Sequence, residues 1–109
     1  MQSTEFVILS TTIDREDVGR ELAQEIVRQR LAACVQSSPV RSTYWWNGTR
    51  ETADETLLAA KTTRARSGEL KRWLLARHPY KVPEIVITPI VDGSSDYLDW
   101  IARETEPPQ

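Results

Sequence analysis

Apolar and polar positions change period several times along the chain, and each change marks an element. Residues 5–12, Glu-Phe-Val-Ile-Leu-Ser-Thr-Thr, form a short β-branched and aromatic run. Such a run predicts a buried strand. From Val18 the period lengthens. Val18, Leu22, Ala23, Ile26 and Val27 recur at three- and four-residue steps, with Arg20, Glu21, Gln24, Glu25 and Arg28 between them. This predicts an amphipathic helix reaching about Arg30, with Asp14 as its cap. Leu31-Ala-Ala-Cys-Val-Gln opens a second strand. Ser38-Pro39 marks a bend or a sheet edge, and the strand resumes from Val40 to Trp46. Asn47-Gly48 is the strongest local signal, because both central positions of a type I′ turn need positive φ. It predicts a hairpin with a third strand at about residues 54–62.

Thr62-Thr63 offers caps for a second helix ending near Arg77, with Ser67-Gly68 as the alternative start and Leu70, Trp73 and Leu74 as its buried stripe. Pro79 disfavours a helical backbone at His78, so the helix stops there. His78-Pro-Tyr-Lys-Val-Pro-Glu is then a stiff loop bearing an imidazole, a phenol, a cation and a carboxylate. Glu84 to Val91 reads as the fourth strand, and Pro89 inside it asks for an edge or a bulge. Ser94 or Ser95 caps a short last helix with Tyr97, Leu98, Trp100 and Ile101 on its apolar side. Residues 104–109 read as a flexible tail, leaving an ordered core of about 5–103 in a single domain, 1–109. The order βαββαβ plus a short C-terminal helix predicts an α+β protein of the ferredoxin-like plan, with two helices on one face of a four-stranded antiparallel sheet.

Composition narrows the partners. The net charge of −2 is slight and both signs are scattered, so no basic run points to nucleic acid. The aromatic and basic strand motifs of RNA-recognition modules are missing as well. No apolar run is long enough to span a bilayer. The N-terminal residues do not resemble a secretory signal, and the one cysteine, Cys34, cannot form an internal disulfide. The expectation is a soluble cytoplasmic protein, with Cys34 as a small core residue. Alternation places Tyr44 and Trp46 on one side of the hairpin and Trp45 on the other. Aromatic area on both sides needs covering, which favours a homo-oligomer.

Several pieces together resemble the CutA divalent-cation tolerance proteins. They are Leu31-Ala-Ala-Cys-Val, Tyr44-Trp-Trp-Asn-Gly, Glu55 with Lys61-Thr-Thr, and His78-Pro-Tyr-Lys-Val-Pro-Glu-Ile. Pro89-Ile and Gly93 with Asp96-Tyr-Leu-Asp-Trp complete the set, in the family's order, over about residues 5–101. The resemblance implies a ferredoxin-like protomer in a PII-like homotrimer, paired through the hairpin strands, with clefts between subunits. It also implies a link to copper and other divalent metal ions, and it brings no agreed catalytic activity.

The resemblance makes His78 the candidate metal ligand. Some members carry a second histidine where this chain has Arg77, and some a cysteine where it has Ser10. Both departures remove ligands that copper prefers. Lys61, Glu84, Tyr80, Tyr44 and Trp46 are the candidates for a ligand-binding cleft between subunits. Lys61 ends an otherwise apolar strand, and a salt bridge to Glu55 or Glu84 is its plainer role. Asp96, Asp99 and Trp100 suit a helix docked on a neighbour. No nucleophile–base pair and no Gly-rich phosphate loop appear, so the chain does not read as an enzyme. A tolerance protein that meets divalent metal ions ranks first, ahead of a signalling-type small-molecule binder or a weak enzyme using the same cleft.

Overall fold

The computed structural model describes residues 5–107. Its elements are β1 (Phe6–Ile13), α1 (Glu16–Arg28), β2 (Cys34–Trp46), β3 (Thr49–Thr63), α2 (Arg64–Arg77), β4 (Ile85–Pro89) and α3 (Ser95–Glu104). The strands form one antiparallel sheet in the order β2-β3-β1-β4. This is the expected ferredoxin-like plan.

The turn sets the register. Asn47 and Gly48 both hold positive φ, 51° and 78°, as a type I′ turn requires. Every pair from Trp46↔Thr49 back to Cys34↔Lys61 follows from it without a slip. The third strand is longer than its apolar run suggests. Its polar start, Thr49 to Ala53, is fully paired and carries the ribbon outward. Thirteen residues at about 3.4 Å each reach about 44 Å, in line with the molecule's 45 Å long axis. Pro39 and Pro89 sit in β2 and β4, the two edge strands, where a missing N–H breaks no ladder.

Leu9, Ile13, Leu58 and Ala60 point from the sheet towards Leu22, Ile26, Leu70 and Leu74 of α1 and α2, and all are buried. Thr63 caps α2, its side chain accepting the Arg66 N–H. The other caps differ from expectation. Asp14 does not cap α1; Arg15 holds the N-cap position without a side-chain bond, and Asp17 accepts the Val18 N–H instead. Ser94 is the N-cap of α3, again without a side-chain bond.

The third helix leaves Asp96 and Asp99 exposed and holds Trp100 half-buried. It docks on its own protomer. Ile101 is buried with Phe6 and Ala33, and Trp100 packs against that cluster. By alternation Phe6 lies on the face away from α1 and α2, so α3 covers one end of the otherwise open sheet face. The helix runs through Glu104 and Thr105 is buried, further than the expected end near residue 103; residues 108–109 of the expected tail lie outside the described residues. Cys34, expected in the core, is only half-buried at the start of an edge strand.

Candidate functional site

A cleft of about 700 Å³ opens between the β2–β3 ribbon and the loop that follows α2. Direct partners and every second residue share a face of a sheet. Ser42, Tyr44 and Trp46 therefore line up with Ala53 and Glu55 on one side of the ribbon. Tyr80, Lys81, Val82 and Glu84 face them from the loop, and Thr12 and Asp14 close the end at β1. Of the five residues expected in a cleft between subunits, Tyr44, Trp46, Tyr80 and Glu84 line this cleft within a single chain.

Lys61 does not join them. It lies six residues along β3 from Glu55, a separation of about 20 Å. Its ammonium sits 5.4 Å from the Tyr97 ring centroid of α3, a cation–π contact. The expected partner Glu55 is instead bound to Tyr80, whose hydroxyl donates to its carboxylate at 2.5 Å. Burial, followed by the bond to Glu55, pushes the Tyr80 phenol above its ordinary pKa. The phenol therefore stays protonated and keeps donating. The sequence places Asp14 as a helix cap and Glu55 beside Lys61, and neither is expected as a wall of this cleft. The Asn-Gly register already put Glu55 on the face of Tyr44 and Trp46.

His78 fastens the loop to β1. The Tyr80 N–H donates to Nδ1 at 3.1 Å, so Nδ1 carries the lone pair. The proton then sits on Nε2 and meets the Thr12 carbonyl and the Thr11 hydroxyl, each at 3.0 Å. Edge-on contact with the Tyr80 ring, centroids 4.8 Å apart, completes the latch. Both ring nitrogens are in use, so a metal ion at His78 must displace one of these bonds. Among the described residues no three His, Cys, Asp or Glu side chains converge on one position. The donors of one protomer therefore do not fit a complete metal centre.

The latch has a pH signature. Burial lowers the His78 pKa, while the Thr12 carbonyl, Asp14 and Glu55 pull it back up. Folding favours the neutral ring, so its contribution is fully present above the ordinary value of 6.5 and is lost as pH falls from there towards the lower folded value. Thermal unfolding followed from about pH 8 to about pH 5.5 shows this decline. His78→Gln flattens it, since the chain has no other histidine; an unchanged slope contradicts the latch.

Fold and site together define the class: a ferredoxin-like α+β protomer with an open sheet face and a polar, aromatic cleft beside a long ribbon. Residues 7–104 match the family described as CutA1 divalent ion tolerance protein, and the chain belongs to that family. It is 42% identical over 99 residues to the divalent-cation tolerance protein CutA of Thermus thermophilus, covering 90% of this chain and 96% of that one. It is 36% identical over 100 residues to the chloroplastic CutA 1 of Oryza sativa, covering 91% of this chain but only 56% of the rice protein. The solved structure of CutA from Synechococcus elongatus superposes with a TM-score of 0.93 at 32% identity, covering 97% of this chain and 95% of that one. The family's description names a tolerance and not a reaction. Relatives occupy more than one compartment, so membership does not fix the location. Among the described residues no helix is long and apolar enough to cross a membrane.

Proposed function

We propose that the protein is a homotrimer that acts in tolerance of divalent metal ions, copper foremost, from the cytoplasm. One observation carries the assembly: the ribbon exposes Tyr44, Trp45 and Trp46 at 42, 73 and 45% of their surface. The unpaired edge of β2 beside them offers a row of backbone groups to a neighbour. Aromatic rings on both faces of the ribbon beside a free edge strand make an interface in search of its partner. Family membership supports the metal link, and an unpaired cysteine suits a reducing compartment. The functional cleft is the one walled by Tyr44, Trp46, Tyr80 and Glu84, with Lys61 contributing only if a neighbouring subunit brings it there. Expression of the chain in a copper-sensitive bacterium raises the copper concentration that permits growth. Growth identical to an empty control sinks the reading.

Copper(II) affinity is modest on this account, because His78 must give up a hydrogen bond to Thr12 or Tyr80 to bind the ion. Each bond lost costs about 1 kcal/mol, or about fivefold in affinity. Calorimetric titration of the purified protein shows weak saturable heat that His78→Ala removes. Unchanged heat in the variant takes His78 out of any metal site.

A further inference from the structure

We propose that the cleft between the ribbon and the His78–Glu84 loop binds an extended organic cation of the polyamine class. The proposal deepens the assignment of this cleft as the functional site and rests on it. It does not require that the metal reading be correct.

Size comes first. About 700 Å³ is the volume of a small-molecule site, far more than one ion fills. Charge comes second. The walls carry three carboxylates, on Asp14, Glu55 and Glu84, against one cation, Lys81. An anionic ligand such as a nucleotide meets repulsion there, and a cation is drawn in.

That the carboxylates do not converge on one point then selects the kind of cation. They come from three places: just after β1, the middle of β3 and just before β4. Among the described residues no three such groups converge on one point. A single metal ion therefore cannot satisfy them together. Two or three positive charges strung along a carbon chain can, each finding its own carboxylate. The aromatic walls fit the rest of such a molecule. The Tyr44 and Trp46 rings are partly exposed, and ring faces attract ammonium groups while covering the methylenes between them. Tyr80 contributes its ring but not its hydroxyl, which Glu55 already holds.

Spermidine is the probe. Calorimetric titration of the full chain at low ionic strength gives saturable binding. Glu84→Gln and Asp14→Asn each weaken it about fivefold or more, the loss of one charged contact. Both side chains are exposed, so neither change threatens the fold. Glu106→Gln, which removes an exposed carboxylate beyond the end of α3, leaves the affinity unchanged. No saturable binding overturns the proposal. So does equal weakening by Glu106→Gln, which would show a diffuse charge effect. Light scattering on the same samples separates the two ideas. A trimer indifferent to spermidine overturns the ligand and leaves assembly standing, whereas a monomer that binds it with this variant pattern does the reverse.

Discussion

Arg66→Ala lowers the unfolding free energy by about 3 kcal/mol, the cost of removing a buried charged donor from carbonyls that depend on it. The reason lies at the end of α1. That helix closes in a Schellman turn, with the Arg30 N–H bonded to the Val27 carbonyl and the Leu31 N–H to the Ile26 carbonyl, both at 3.0 Å. Arg30 takes the left-handed position at φ 60°, where glycine is the usual residue. The Gln29 and Arg30 carbonyls are left over. Arg66 reaches across from the first turn of α2 and donates to Arg30 at 3.3 Å and to Gln29 at 3.4 Å, while Glu69 holds its other nitrogen at 2.7 Å. Its side chain is 10% exposed, so water replaces it poorly. Urea unfolding at matched protomer concentration measures the loss. Arg66→Lys recovers only part of it, because one ammonium cannot fork to both carbonyls and a carboxylate. A loss under about 0.5 kcal/mol, typical of a surface substitution, would contradict this role.

With the proposed trimer, Trp46→Ala shifts the trimer–monomer midpoint to a protein concentration more than tenfold higher than Trp73→Ala does. The exposed 45% of the Trp46 residue corresponds to about 100 Å² of ring. At roughly 25 cal/mol per Å² that contributes about 2.5 kcal/mol per subunit when a neighbour covers it, and about 1.4 kcal/mol is already tenfold. Trp73 is different. It packs on the protomer's own core, and the Arg77 guanidinium lies 4.4 Å from its ring centroid. Its loss weakens the protomer fold and not the contact between subunits. Sedimentation across a dilution series separates the two. Equal midpoints would contradict the assignment of the ribbon as the interface.

Much of this protein is legible in its sequence. Asn47-Gly48 fixes the hairpin and, through it, the partner of every residue in β2. Pro79 ends α2 beside His78, which is its C-cap. The two strand prolines mark the edges of the sheet. What escaped reading depends on contacts distant in the chain. The Thr12 carbonyl that receives the His78 proton lies 66 residues away, and no local pattern names it. Lys61 and Glu84 look like partners when ranked by chemistry alone, yet strand register sends Lys61 to the far end of the sheet and under Tyr97. The positive φ at Arg30 was also hidden, since glycine is the residue that announces such a turn. Caps failed for a related reason. Asp14 has the right chemistry, but α1 starts two residues later, and Asp14 instead faces the cleft.

The central claim is that the aromatic ribbon joins copies of this chain. Light scattering on the wild-type protein at micromolar concentration tests it most directly. The account predicts one species with the mass of three protomers of 12.5 kDa each. A single species at the protomer mass would contradict it, because Tyr44, Trp45 and Trp46 would then stand in water with nothing to cover them.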